Sequence, residues 1–113
     1  MAIIAVESGG DNHAIGDNGE AYGCLQIWQC YLTDANEFAG TSYTHDDAFD
    51  RKKSIAIFAA YMKRYATEKR LGRIPTAEDI ARIHNGGLNG YKKASTEKYW
   101  LKAQAELRRM GAH

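Results

Sequence analysis

Apolar residues recur along this chain mostly at three- and four-residue steps, and almost nowhere at steps of two. The pattern predicts helices separated by polar loops. A short apolar run over residues 2–7 predicts a first helix. Gly9-Gly10 stops it, since glycine supplies the left-handed conformation that helix C-termini often use. Residues 11–23 are rich in Gly, Asp and Asn without periodicity and predict a loop. Leu25, Ile27, Trp28, Tyr31 and Leu32 then predict a second helix over residues 24–36. After a connection at 37–45, Asp46 or Asp47 is placed to cap a long helix reaching about Lys69. Its expected buried stripe is Ile55, Phe58, Ala59, Met62 and Tyr65. Leu71 to Pro75 breaks the pattern. Thr76 before Ala77-Glu78-Asp79 reads as an N-cap with acids in the first turn. That helix is short and ends at Asn85-Gly86-Gly87. A last one is expected from about Ser95 to Met110, burying Tyr99, Leu101 or Ala103, and Leu107. The expected fold class is all-α.

Length adds one constraint: 113 residues hold one core, so residues 1–113 are read as a single domain. A formal charge of +1, with Lys and Arg dispersed over the second half, provides no field that selects nucleic acid. No run of about 18 apolar residues exists, so no membrane insertion is expected. The opening Met1-Ala2-Ile3-Ile4-Ala5-Val6 is too short for a signal sequence and lacks a basic start. It suggests a naturally minimal protein or a trimmed one. Cys24 and Cys30 fall on nearly opposite sides of one helix at six-residue spacing, so both are expected as free thiols. His13, His45 and His113 show no ligand spacing, and neither a metal nor any other cofactor is expected.

The segment that carries chemistry begins at Glu7-Ser8-Gly9-Gly10. It continues through Ile15-Gly16-Asp17-Asn18-Gly19 to Gly23-Cys24-Leu25-Gln26-Ile27. A carboxyl in the last turn of a helix meets the negative end of the helix dipole, and apolar neighbours such as Ile27 or Trp28 would disfavour its anion further. Glycosidic cleavage needs such an acid, still holding a proton that it can pass to the leaving oxygen. Glu7 is therefore the candidate catalytic acid.

At these residues the chain resembles the lytic transglycosylases and goose-type lysozymes, which carry Glu-Ser-x-x, a loop, and then Gly-x-Met-Gln-Ile or a variant. Ala81-Arg82-Ile83-His84-Asn85-Gly86-Gly87 is similar to the transglycosylase Ala-x-Tyr-Asn-x-Gly motif. Thr96-Glu97-Lys98-Tyr99 is similar to its Thr-x-x-Tyr segment, and Ile55 to Tyr65 to its central helix. Two departures stand out: Leu25 precedes Gln26 where Met is usual, and His84 replaces the family's Tyr.

The resemblance implies a compact lysozyme-like domain with a loop-lined groove for peptidoglycan glycan strands, cut between N-acetylmuramic acid and N-acetylglucosamine. It implies Gln26, Tyr22, His84, Asn85 and Tyr99 as substrate-binding or Glu7-steering residues. Asp17 becomes a second catalytic candidate, although Asp-Asn-Gly is also an ordinary turn. Trp28 and Trp100 are read as core residues in preference to sugar platforms. Two outcomes are weighed. In a transglycosylase the muramic C6 hydroxyl attacks, giving a 1,6-anhydro product. In a hydrolase Asp17 positions water on the opposite face. The first is the expected outcome, because a Gly-flanked loop holds Asp17 loosely whereas the substrate delivers its own hydroxyl. A third reading, an inactive glycan-binding or structural wall or phage component, keeps the fold without the chemistry. A monomer acting in the periplasm or cell wall is expected, as part of a phage-type or secretion-associated assembly or as a piece of a larger protein.

Overall fold

The computed structural model describes residues 1–111, so His113 lies outside the described part. Helices account for most of it: α1 (Ala2–Ser8), α2 (Gln29–Ala39), α3 (Arg51–Tyr65), α4 (Glu68–Leu71), α5 (Ala77–Gly86) and α6 (Glu97–Arg109). The expected helical class is what is found, with one addition. Strands β1 (Ile15–Gly16) and β2 (Ala21–Tyr22) pair antiparallel, Ile15 opposite Tyr22 and Gly16 opposite Ala21. Two-residue strands are too short to leave any alternation in the sequence.

α1 packs on α6, α2 on α3, and α5 on both α3 and α6. Ile3, Ile4, Leu25, Ile27, Leu32, Ile57, Tyr61, Ile83 and Ala103 form the shared core. Each aliphatic side chain of this kind contributes roughly 1.5–3 kcal/mol on burial. α5 begins as the sequence indicates. Thr76 Oγ1 accepts the Asp79 N–H at 3.2 Å, and Asp79 Oδ2 accepts the Thr76 N–H at 2.9 Å. Gly9, with φ of 64°, ends α1, and Gly87, with φ of 84°, ends α5.

Three expectations are corrected. The second helix starts at Gln29, five residues later than residue 24. Tyr22 and Ile27 exchange backbone hydrogen bonds of 3.0 and 2.9 Å, closing residues 22–27 into a tight loop. Cys24, Leu25 and Ile27 are buried by this loop's descent into the core, and their apolar spacing does not come from a helix. A Cβ on Gly23 would strike the Ala48 carbonyl, so this close approach requires glycine. Both cysteines are free as expected, Cys24 buried and Cys30 exposed, but they do not share a helix.

The expected long helix is interrupted. Residues 45–49 form a 3-10 turn, Asp50 is extended, and its side chain caps α3 by accepting the Lys53 N–H at 3.0 Å. A further break at Ala66-Thr67 separates α4, capped by Thr67. The buried stripe of α3 runs through Ser54, Ile57, Tyr61 and Met62, while Ile55 and Ala59 face solvent. On α6, Ala103 is buried and Leu101 is exposed.

Candidate active site

Glu7 sits in the last turn of α1, where Ser8 fixes the helix end against the 22–27 loop. Ser8 Oγ donates to the Cys24 carbonyl at 2.9 Å and accepts the Gly10 N–H at 3.2 Å. Across the core, α6 brings Tyr99 up beneath the carboxyl, and its hydroxyl donates to Glu7 Oε2 at 2.9 Å. Burial, then the Glu7 charge and that hydrogen bond, push the Tyr99 phenol well above its ordinary range. It therefore remains a donor.

His84, on α5 and buried, approaches the same oxygen, with Nε2 at 3.3 Å from Glu7 Oε2. The imidazole is held at both nitrogens: Nε2 lies 2.9 Å from the Leu25 carbonyl and Nδ1 lies 2.9 Å from Tyr31 Oη. A carbonyl only accepts, so Nε2 carries a proton and donates it. Nδ1 then accepts from the Tyr31 hydroxyl in the neutral ring. Burial pushes the Tyr31 phenol up, as do Tyr61, Tyr99 and Glu7, which keeps its proton in place. Tyr31 stacks on Tyr61 at 3.7 Å between centroids, and burial pushes the Tyr61 phenol up to about 12. The departure from the transglycosylase Tyr thus sets an imidazole edge beside Glu7, its Nε2 proton committed to the Leu25 carbonyl and its Nδ1 to Tyr31.

The opposite wall is built from backbone turns. Asp17, Asn18 and Gln26 are the non-glycine residues with positive φ among those described, at 50°, 58° and 52°. Such conformations cost about 1–3 kcal/mol each and persist only where the surroundings enforce them. For Gln26 the enforcement is visible. Its Nε2 donates to the carbonyls of Ala14 at 3.2 Å and Gly23 at 3.0 Å. A Cβ on Gly16 would collide with its Oε1, so glycine is needed for the hairpin to close over this amide. Asp17 opens the turn of the hairpin, which the Glu20 N–H closes on the Gly16 carbonyl at 3.1 Å, and its Oδ2 accepts the Trp28 Nε1–H at 3.1 Å.

Between the two walls lies a groove of about 240 Å³, lined by Glu7, Asp17, Gln26, His84 and Asn85 together with Trp28, Cys30, Tyr31, Tyr61 and Gly87. Five of the seven residues singled out from the sequence thus share one groove. Tyr99 reaches it only through Glu7. Tyr22 does not line it: its ring stacks on His45 at 3.7 Å and on Phe49 at 4.6 Å, packing β2 against the 45–49 turn. Gln26 does line the groove, but its amide N–H groups are committed to backbone carbonyls, so it shapes the wall.

Residues 1–106 match the Destabilase family. The chain belongs to that family. Among curated relatives, Lysozyme 1 of Crassostrea virginica is 36% identical over 79% of this chain and 46% of its own length. A lysozyme of Magallana gigas is 36% identical over 92% of this chain and 74% of its own. The chain therefore spans about half the length of the first relative. Among solved structures, inhibitor-bound lysozyme from Meretrix lusoria superposes with a TM-score of 0.80 at 34% identity, covering 99% of this chain and 88% of that one. Destabilase membership and these lysozymes bear out the lysozyme-like expectation and set the chain among the invertebrate-type lysozymes, without extending to the narrower transglycosylase or goose-type assignment.

Sequence reasoning missed Trp28, Cys30, Tyr31 and Tyr61 as groove residues. Their spacing presents Trp28 and Tyr31 as apolar contacts of a helix, which Tyr31 is, on α2, and Trp28 is not. Only the loop closure at Tyr22–Ile27 turns Trp28 outward, to 41% exposure. Nothing in residue spacing announces that closure.

Proposed function

We propose that this chain cleaves the β-1,4 bond between N-acetylmuramic acid and N-acetylglucosamine in peptidoglycan, as a hydrolase. The observation that carries this reading is the pairing across one groove of Glu7, held at Oε2 by Tyr99 and faced by His84, with Asp17, held by Trp28. With Oε2 accepting from Tyr99, Oε1 is the oxygen left to pass a proton to the glycosidic oxygen. Asp17 supports the oxocarbenium-like carbon that results and the water that attacks it. Asn85, exposed at the C-terminal end of α5, offers an amide to the glycan strand. Relatives that carry the name lysozyme support the substrate class. The substrate lies outside the cell, so the enzyme works there. Both carboxyls come from one chain, and a monomer suffices.

The hydrolase reading gains over the transglycosylase one because Asp17 is braced by an indole. Its hairpin closes on Gln26 in place of the loose loop expected from the glycines. Mass analysis of peptidoglycan digests separates the two. Reducing-end muropeptides are expected, and 1,6-anhydromuropeptides as the main product would reassign the chain to transglycosylation.

A further inference from the structure

Trp28 immediately precedes α2 with extended backbone, at the rim where the 22–27 loop meets the groove. Two features set it apart from Trp100, whose ring lines an apolar hollow between α1, α5 and α6. Its Nε1–H is spent on Asp17 Oδ2, eleven residues back. Two-fifths of the residue is nevertheless open, beside both carboxyls. What distinguishes this exposed side chain is its place: the open part of the indole lines the groove that holds Glu7 and Asp17. Pyranose rings present an apolar face to an aromatic plane, and sugar-lined grooves combine a few polar groups with such planes.

We infer that Trp28 is at once the positioning residue for Asp17 and the platform against which a pyranose ring of the substrate packs. Its N–H fixes where the second carboxylate points, and its ring fixes where the sugar lies relative to that carboxylate. Seating the sugar and aiming the carboxylate thereby become functions of one rigid side chain. Among the described residues the Asp17 carboxylate accepts a hydrogen bond from this indole alone, so its direction rests on Trp28. The inference rests on the muramidase reading of the groove.

The test separates the N–H from the ring. Trp28→Phe keeps an aromatic plane without the donor, and Trp28→Leu removes both. On a soluble oligosaccharide of alternating N-acetylglucosamine and N-acetylmuramic acid, Trp28→Phe should lower kcat about tenfold, as expected for losing a hydrogen bond to a charged group. Its KM should stay within about twofold. Trp28→Leu should lower kcat similarly and also raise KM about tenfold, the scale of one lost stacking contact. In an Asp17→Ala background, Trp28→Phe should change kcat by less than about twofold, because two residues acting as a unit do not multiply. Binding is read without turnover in Glu7→Gln/Trp100→Phe, where Trp28 is the one indole. Its emission should shift on adding the oligosaccharide, and also on introducing Asp17→Ala. An unchanged kcat in Trp28→Phe, an unchanged KM in Trp28→Leu, or penalties that multiply with Asp17→Ala would overturn the inference and leave the muramidase reading standing. A wild-type protein that neither binds nor cuts the oligosaccharide would overturn both.

Discussion

The two walls of the groove are made by different physics. The wall carrying Glu7, His84, Asn85 and the Tyr99 beneath them consists of helix ends, capped, mutually packed and anchored by buried hydrogen bonds. The wall carrying Asp17, Gln26 and Trp28 is a hairpin and a loop, held in costly backbone conformations by a handful of side-chain contacts. A proton donor tolerates little displacement, since a general acid must come within about 2.6–3.2 Å of the leaving oxygen. A strained loop wall tolerates more.

The largest effect is expected at Glu7, on the helical wall. Glu7→Gln should remove peptidoglycan cleavage by about 10³-fold, with melting temperature and circular dichroism nearly unchanged. Substantial turnover in the folded variant would remove the acid from the helical wall altogether. Asp17→Asn comes next, with an expected loss of about 10²-fold in kcat. A loss below about tenfold would mean that the loop wall supplies shape and no chemistry, and would favour attack by the C6 hydroxyl.

Gly16→Ala probes the strain directly. The added Cβ must displace Gln26 Oε1, and a drop in activity of about tenfold with about 1 kcal/mol lost from stability is expected. Wild-type activity in this variant would show that the Gln26 brace is dispensable. The helical wall has its own probe in Asp79. Burial alone pushes its carboxyl up, but the bidentate Arg73 pair and the Thr76 N–H and hydroxyl draw it below its ordinary 3.8. A folded-state value below the unfolded one stabilises the protein above about pH 3.9, and that contribution disappears as pH falls through the lower folded value. Asp79→Asn should therefore cost about 1 kcal/mol at neutral pH, after discounting for the exposed Arg73, and should blunt the acid limb of a denaturation curve. Activity at neutral pH should barely move. The smallest expected effect is chemical access: thiol titration should count one reactive cysteine in the native protein, Cys30 in the groove, and two after unfolding.

How much of this was legible in the sequence divides along the same line. The helical wall was readable because Glu7 before Gly9-Gly10, the Thr76 cap and the Asn85-Gly86-Gly87 stop are all local signals. The loop wall was not. Cys24, Leu25, Ile27 and Trp28 carry spacing that suits a helix, but the backbone carbonyls of Cys24 and Leu25 bond to Ser8 and His84 from distant parts of the chain, and Gly23 is what lets the loop pass beside the Ala48 carbonyl, 25 positions away in sequence. Ile55 and Ala59 were misplaced for a related reason. Both lie on α3 beside the face that α2 and α5 cover, which runs through Ser54, Ile57, Tyr61 and Met62, and residue type alone does not choose between adjacent stripes when isoleucine occupies both. Tyr22 was assigned to the groove by its place in a motif, while His45 and Phe49, invisible to that motif, draw it away.

Glu7 and the Tyr99 that completes its environment are 92 positions apart. Closing so long a chain loop costs entropy that only the docked helices return, so this contact belongs among the late events of folding. A chain that has collapsed, with α2, α3 and α5 assembled but α6 still undocked, has its carboxyl and lacks its donor. Enzymatic competence should then lag behind the recovery of helical signal in a refolding experiment and coincide with the docking of α6 on α1. The reaction itself becomes a reporter of the last contact to form.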